Sequence, residues 1–167
     1  MGIEIERKYI IVRPNTELLS GIEGYTCSKI LQTYIESEPG TNRRVRRREF
    51  SDGRVVCTET VKRRINAISA VEDEHEITPE LCDELAAKPK EGTTPLTKVR
   101  HTFPYGGRTV EVDIYPAWEK SCIMEIELTD PEEQPEIPDF IEILRDVTGI
   151  KEYKNAFMAT RFPEEII

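Results

Sequence analysis

The sequence predicts a mainly β protein of the α+β class, with eight strands and a few short helices. Apolar and polar residues alternate with a period of two over many short stretches, which is typical of half-buried strands. Pro, Gly, Asn and Asp separate these stretches and predict turns. The chain has 167 residues and no Ser- or Gly-rich linker, so we expect a single domain over residues 1–167.

Eight segments have the alternating pattern of a strand. They span residues 1–12, 27–35, 43–50, 55–62, 70–77, 96–103, 109–115 and 122–128. Ser51, Asp52 and Gly53 predict a tight hairpin between the third and fourth segments. Pro104 and the glycines that follow predict another turn between the sixth and seventh.

Four further segments have helical signals. They span residues 16–19, 79–88, 139–147 and 154–160. Thr78 is a good N-cap for the second of these, because Pro79 follows at the first helical position. The third has apolar residues at helical spacing and a closing Gly149, which together predict a helix.

The charge of the chain excludes several classes of function. The formal net charge is -9 and the sequence pI is about 4.9, so the molecule as a whole repels nucleic acids and anionic membranes. No run approaches the roughly 20 apolar residues of a membrane span, and the first residues lack the pattern of a signal peptide. We therefore expect a soluble, cytoplasmic protein that binds neither nucleic acid nor membrane. Any anionic ligand must be held by a local cluster of basic residues.

The cysteines and histidines do not have the spacing of a metal site. The four cysteines, with no CxxC pair among them, are Cys27, Cys57, Cys82 and Cys122. We expect reduced thiols, mostly buried, in place of disulfides or a zinc site. His75 and His101 are expected to be structural or exposed and not catalytic.

Charged residues recur on one face of the predicted strands. In the first strand, Glu4, Glu6 and Lys8 share a face because side chains alternate along a strand. One such stripe is typical of the solvent face of an antiparallel sheet. Comparable stripes recur in six later strands. They are Arg44 and Arg46, Lys62, Glu74 and Glu76, Lys98 and Arg100, Glu111 and Asp113, and Glu125 and Glu127.

The repetition indicates that these charges line an interior. On the outside of a sheet, scattered polar residues suffice, and the two signs need not be segregated by strand. If the sheet curls on itself, the charges face a lumen, where uncompensated charge is costly. Carboxylates suit a hard divalent cation such as Mg²⁺ or Mn²⁺, and Arg and Lys suit phosphate oxygens. A metal ion and a polyphosphate would together neutralise both walls.

The order of the motifs resembles one known family. Glu4-Ile5-Glu6-Arg7-Lys8 has the ExExK form that opens the CYTH superfamily, the triphosphate tunnel metalloenzymes. Later segments resemble the strand motifs of that family in order, at residues 32–35, 44–46, 60–62, 98–100, 111–113, 125–127 and 152–155. The resemblance covers nearly the whole chain and is greatest to short bacterial inorganic triphosphatases. It implies an eight-stranded antiparallel tunnel with helices packed outside.

The same resemblance implies roles for individual residues. The metal ligands would be Glu4, Glu6, Glu125 and Glu127, supported by Asp113 and Glu111. The triphosphate would be bound by Lys8, Arg44, Arg46, Lys62, Lys98 and Arg100, with Lys154 at the tunnel mouth. Tyr34 and Lys62 are similar to a pair implicated in tripolyphosphate hydrolysis, so they are the candidate catalytic residues. The implied reaction is metal-dependent hydrolysis of a small-molecule triphosphate, inorganic or nucleoside.

Alternatives stay open at this point. The same tunnel makes cyclic AMP if the ribose hydroxyl of ATP attacks in place of water. A thiamine triphosphatase would need an aromatic platform, for which Trp118 and Tyr105 are candidates. A polyphosphate-binding module without activity would need a broken metal site. Both a monomer and a homodimer are compatible with the sequence.

Two groups of residues have no fixed role at this stage. Glu74 and Glu76 suit either the barrel wall or a supporting acidic role. The remaining arginines of the third strand, Arg43, Arg47 and Arg48, are expected to face solvent. A shift of one residue in the hairpin register would exchange which arginines face inward.

Overall fold

Eight antiparallel strands close into a barrel in the computed structural model, which describes residues 2–166. They are β1 (Gly2–Val12), β2 (Thr26–Ile35), β3 (Thr41–Phe50), β4 (Val55–Arg64), β5 (Ser69–Ile77), β6 (Leu96–Tyr105), β7 (Arg108–Ile114) and β8 (Ser121–Glu127). The order around the barrel is β1-β5-β4-β3-β2-β6-β7-β8, after which β8 pairs with β1 again. The predicted mainly β class and the eight-stranded barrel are confirmed.

The first strand closes the barrel because its two edges pair with different strands. Residues 6–12 pair with β8 along one edge. On the other edge, residues 2–5 pair with β5, and residues 9–11 pair with a ninth strand, β9 (Ile143–Asp146). Since β5 leaves β1 after Ile5, the main-chain groups beyond that point need new partners. The C-terminal part of the chain supplies them, and the amide of Val147 donates to the carbonyl of Lys8 at 2.9 Å.

The prediction of a helix over residues 139–147 is wrong. The apolar residues at helical spacing are Phe140, Ile143, Leu144 and Val147. Ile143 and Leu144 are exposed, whereas Ile141 and Val147 are the buried residues of this segment. A short helix is marginal on its own, so the free edge of β1, which offers main-chain hydrogen bonds, determines the conformation.

The other three predicted helices are confirmed, with small changes in their bounds. They are α1 (Thr16–Ser20), α2 (Pro79–Ala86) and α3 (Asn155–Met158), the last preceded by a single 3₁₀ turn at Lys151–Tyr153. Thr78 caps α2 as predicted, since its hydroxyl accepts a hydrogen bond from the amide of Leu81 at 3.1 Å. None of the helices within residues 2–166 has the length and hydropathy that a membrane span requires.

Apolar clusters pack on both surfaces of the barrel wall. The outer surface of β1, β6, β7 and β8 is covered by α1 and the loop that precedes β9, around Phe103 and Met124. A second cluster fills one end of the barrel interior, where Tyr115 and Trp118 meet Met158 of α3. Full burial of each such side chain contributes roughly 1.5–3 kcal/mol. The four cysteines are free thiols, and three of them are buried.

Gly149 allows the C-terminal segment to cross the β4–β5 hairpin. Its φ is +73°, in the left-handed region. A Cβ atom at this position would lie 2.9 Å from the Cβ of Ala67 and 3.2 Å from the carbonyl oxygen of Ala67. Any residue except glycine would therefore meet both backbone strain and a steric clash. Gly149 does not close a helix, as the sequence predicted, but it fixes the close approach of two loops.

We expect G149A to lower the free energy of unfolding by at least about 2 kcal/mol, because strain and clash add. G53A is the matched control, since Gly53 has a φ of +95° and no atom within 4 Å of the added Cβ. It should cost only about 1 kcal/mol. Equilibrium urea unfolding measures both values. Equal losses in the two variants would contradict the close packing on Ala67.

Candidate functional site

A cavity of about 860 Å³ occupies the barrel interior beside the apolar cluster. Its basic lining residues are Lys8, Arg44, Arg46, Arg48, Lys62, Arg64, Lys90, Arg100, Lys151 and Lys154. Its acidic lining residues are Glu4, Glu6, Glu72, Glu74, Glu111, Glu125 and Glu127. Ten basic groups therefore face seven carboxylates in a protein whose net charge is -9. The cavity attracts anions although the molecule as a whole repels them.

The alternation of side chains along the strands separates the two signs. The carboxylates come from β1, β5, β7 and β8, and most of the strand-borne bases come from β3, β4 and β6. Lys8 is the exception, because it follows Glu6 on the inward face of β1. The remaining bases come from loops and from the C-terminal segment. The cavity thus has an acidic wall and a basic wall.

The structure brings most of the predicted site residues together at the cavity lining. They are Glu4, Glu6, Lys8, Tyr34, Arg44, Arg46, Lys62, Arg100, Glu111, Glu125, Glu127 and Lys154. Glu74 also lines the cavity and accepts a hydrogen bond from Thr60 at 2.7 Å, whereas Glu76 is exposed outside the lining. His101 is bound to Tyr25 at 2.7 Å, and His75 is exposed.

Lys98 and Asp113 lie behind the cavity wall and not on it. Both side chains are fully buried, and the ammonium of Lys98 is 2.8 Å from Oδ2 of Asp113. Asp113 also accepts two hydrogen bonds from Arg100, at 2.7 and 2.8 Å. Burial opposes ionisation of Asp113, but Arg100 and Lys98 outweigh it and lower the pKa to about 2. Asp113 holds Arg100 in place, and Lys98 in turn holds Asp113.

The sequence interpretation missed several lining residues. The clearest is Arg48, for which the expected exposure is wrong: it lines the cavity and donates to the hydroxyl of Ser28 at 2.7 Å. Arg43 and Arg47 do face outward, paired with glutamates of the outer surface. The period of two that selected Arg44 and Arg46 also selects Arg48, so the signal was present. The same alternation selects Glu72, which precedes Glu74, and Arg64, which follows Lys62. Lys90 and Lys151 lie outside the strands, so alternation could not select them.

Carboxylates crowd together at the centre of the acidic wall. Glu6 and Glu125 lie on either side of Lys8, whose ammonium is 3.8 Å from Glu6 and 3.3 Å from Glu125. Burial and the charges of Glu125 and Glu4 raise the pKa of Glu6 to about 8. Burial acts the same way on Glu125, but Lys8 and Arg100 outweigh it and hold its pKa well below the usual range. Lys8 therefore compensates one of the two carboxylates and not both.

Glu127 and Glu72 are also short of positive charge. Burial and the neighbouring charges of Glu111 and Glu4 raise the pKa of Glu127. Burial and the adjacent Glu4 raise the pKa of Glu72 to about 7, and the carboxylate of Glu4 is itself bound by Lys62 at 2.9 Å.

Within residues 2–166, no three side chains of Asp, Glu, His or Cys lie close enough together to hold a metal ion. Four of the carboxylates are paired with basic side chains: Glu4 with Lys62, Glu111 with Arg100, and both Glu6 and Glu125 with Lys8. The set of oxygen donors nevertheless fits a hard divalent cation, because Glu6 and Glu127 lack sufficient counter-charge.

The basic wall carries unused hydrogen-bond donors. The Nε atoms of Arg44 and Arg46 are buried and have no hydrogen-bond partner in the described part of the chain. Burial and the charges of Arg44 and Arg100 lower the pKa of Arg46. A buried donor without a partner costs about 1–3 kcal/mol, which an anionic ligand would relieve. The wall is therefore suited to phosphate oxygens.

The candidate catalytic pair lies at the cavity but is not directly joined. Tyr34 on β2 lies opposite Arg44 on β3. Lys62 is on β4, the other neighbour of β3, and donates to Glu4. Tyr34 and Phe157 are the aromatic residues of the described chain that line the cavity. Trp118 is buried in the apolar cluster, and Tyr105 packs against Phe140 on the outer surface.

Comparisons with known proteins agree on the fold. No family model matches the chain, and no curated protein matches it by sequence. The inorganic triphosphatase NE1496 superposes with a TM-score of 0.60 and 22% identity, covering 98% of this chain and 99% of that one. PH1819 from Pyrococcus horikoshii OT3 has a TM-score of 0.54 and 21% identity, with coverages of 77% and 80%.

A protein from Hippeastrum has a similar fold. HpAC1 from Hippeastrum, an adenylyl cyclase candidate described as having a dominant triphosphatase activity, has a TM-score of 0.52 and 18% identity, with coverages of 79% and 81%. At these identities the likeness establishes the fold alone. The fold expected from the resemblance to the triphosphate tunnel proteins is confirmed.

The crowding of Glu6 predicts a pH-dependent stability. A pKa raised from 4.5 to about 8 on folding contributes stability that is complete below pH 4.5 and is lost as the pH rises through 8. Glutamine cannot lose a proton, so the melting temperature of E6Q should exceed that of the wild type increasingly from pH 5 to pH 8. We expect a difference of about 3 °C or more at pH 8 in a chelator-containing buffer.

The exposed Glu23 offers a matched control for this measurement. E23Q removes the same charge from the surface and should leave the difference from wild type nearly constant with pH. Calorimetric melting of the three proteins at several pH values tests the prediction. A pH-independent difference for E6Q would show that Glu6 is not crowded.

Proposed function

We propose that this protein hydrolyses a small-molecule triphosphate in its barrel cavity, with a divalent metal ion as cofactor. The observation that carries the proposal is the excess of basic over acidic groups in the cavity of an acidic protein. The basic wall suits a polyanion, and the adjacent carboxylates suit the cation that would accompany it. The fold likeness to NE1496, described as an inorganic triphosphatase, supports the same conclusion.

The basic wall would bind and position the triphosphate. Arg44 and Arg46 have buried Nε donors that phosphate oxygens would satisfy. Arg100 would bind in a fixed orientation, because Asp113 and Glu111 hold its guanidinium on two sides. We assign Lys98 and Asp113 to the support of Arg100, and not to direct contact with phosphate or metal, because both are buried behind the wall. In such a site, positioning and electrostatics supply most of the catalysis.

The acidic wall would hold the metal ion. The candidate ligands are Glu4, Glu6, Glu111, Glu125 and Glu127. A bound Mg²⁺ or Mn²⁺ would neutralise charge on the phosphate oxygens and orient the transferring phosphoryl group. A triphosphate would offer new partners to Lys8 and Lys62 in place of the carboxylates that they bind in the ligand-free protein. Lys62 and Tyr34 would then lie beside the phosphates and help to position the attacking water.

Cyclisation of ATP is the alternative function, because HpAC1 is described both as an adenylyl cyclase candidate and as having a dominant triphosphatase activity. Thiamine triphosphate has less support, since neither Trp118 nor Tyr105 reaches the cavity lining. A module that only binds polyphosphate is disfavoured by the complete set of glutamates. The cytoplasmic location and the choice between monomer and homodimer stay predictions.

A direct assay tests the proposal. The protein is incubated with Mg²⁺ or Mn²⁺ and, separately, with tripolyphosphate, ATP and thiamine triphosphate, and both phosphate and cyclic AMP are measured. Phosphate release that stops on addition of a chelator is the expected result. Cyclic AMP from ATP would support the cyclase, and no turnover of any substrate would support a binding module.

We expect E127Q to reduce metal-dependent phosphate release at least about 100-fold, because the variant removes one carboxylate of a shared metal site. The fold should be unaffected, since Glu127 takes part in no salt bridge within residues 2–166 and carries a raised pKa. E76Q is the matched control on the acidic strand β5, outside the cavity lining. Full activity in E127Q, or an equal loss in E76Q, would contradict the assignment of the acidic wall.

A further inference from the structure

We infer that Asn155 binds a phosphate oxygen of the substrate through its side-chain amide, and that Tyr115 fixes the amide in the required orientation. The inference rests on the proposed function, because it adds a contact to the same cavity. Asn155 is the first residue of α3 and lines the cavity, between Lys154 and Ala156, which line it too. The sequence interpretation gave neither Asn155 nor Tyr115 a role.

The hydrogen bonds that lead to Asn155 have one consistent direction. The Nζ atom of Lys98 donates to the hydroxyl of Tyr115, at 3.5 Å. The hydroxyl of Tyr115 in turn donates to Oδ1 of Asn155 at 2.7 Å. Because Oδ1 is the acceptor, the other end of the amide is the Nδ2 group with its two donors. Those donors are available to a ligand in the cavity.

Tyr115 is held firmly enough to act as the positioning residue. Its ring packs against Phe162 and Trp118, with centroid distances of 5.3 and 6.2 Å, and only 1% of the residue is exposed. Burial and the charge of Asp113 raise the pKa of Tyr115 well above its usual value, so the side chain keeps its proton and stays a donor. With the Asn155 amide rotated, the proton of the Tyr115 hydroxyl would lose its acceptor, and Nδ2 would compete with Lys98 for the hydroxyl oxygen.

An amide suits this end of the cavity because it adds donors without adding charge. Three lysines from outside the strands also line the cavity: Lys90, Lys151 and Lys154. A fourth cation would increase the repulsion among them, whereas the neutral amide binds phosphate oxygens without it. The same buried network also reaches Arg100, through Lys98 and Asp113. One rigid set of side chains thus sets the positions of two phosphate contacts, Arg100 and Asn155.

The test compares N155D with the wild type. The carboxylate still accepts from Tyr115, but it replaces two donors with a negative charge. We expect KM for tripolyphosphate to rise at least about 10-fold, with kcat within about 3-fold of wild type. N155A, which adds no charge, should raise KM about 3- to 10-fold and serves if N155D does not fold. N42D is the matched control, since Asn42 also lines the cavity but is exposed. The fold-increase in KM should be at least about 3-fold smaller for N42D than for N155D.

Tyr115 is tested through its coupling to Asn155. Y115F should raise KM about 3-fold in the wild type and leave it unchanged in N155A, because Tyr115 acts through the amide. A merely structural role would lower activity equally in both backgrounds and overturn this part. An unchanged KM in N155D, or an equal rise in N42D, would overturn the inference.

A binding measurement separates this inference from the proposed function. Calorimetry of inorganic tripolyphosphate binding in the presence of Mg²⁺ does not depend on turnover. If the wild type binds but does not hydrolyse, the proposed hydrolysis fails. At least about 10-fold weaker binding by N155D then still supports the role of Asn155. Equal binding by the two proteins overturns it, and no binding by the wild type overturns both.

Discussion

The buried ion pair of Arg100 with Asp113 is the interaction on which the rest of the site depends. The two residues lie directly opposite each other on β6 and β7, and Asp113 has no exposed surface. Buried charges are tolerated only when they are paired and hydrogen-bonded, so a shift in the register of these strands would leave both unpaired. The pair therefore fixes the register that places Glu111 and, one strand further, Glu125 on the inner face.

The two walls of the cavity differ in how well their charges are compensated. Behind the wall, Asp113 binds both Lys98 and the lining residue Arg100. Glu6 and Arg46, which face the cavity, have environments that disfavour their charged forms. Such groups lower the stability of the ligand-free protein, but they are also the groups that gain most from a bound cation and polyanion. The supporting residues contribute rigidity, and the lining residues contribute affinity.

Alternation of side chains along a strand predicted the strands and the charged face that lines the barrel, whereas the closed eight-stranded barrel was predicted from the resemblance to the triphosphate tunnel proteins. The alternation placed Glu4, Glu6 and Lys8 together, and applied consistently it would have included Arg48. It could not show that Lys98 and Asp113 lie behind the wall, since depth in the barrel depends on neighbouring strands. It also failed for residues 143–146, whose partner, β1, lies far away in the sequence. Asn155, although part of the motif at residues 152–155, received no role because its contact with Tyr115 joins residues forty positions apart in the chain.

The split pairing of β1 also constrains how the molecule can fold. β1 has its longest pairing with β8, which is available only when residues 121–127 have been made, and β9 is made later still. Pairings of such wide sequence separation are closed late, because the chain entropy of the intervening loop must be overcome first. Until then, the charged side chains of β1 stay hydrated, and water competes with their protein partners for hydrogen bonds. The cavity, and with it any affinity for a polyanion, therefore requires that these long-range pairings of β1 have formed.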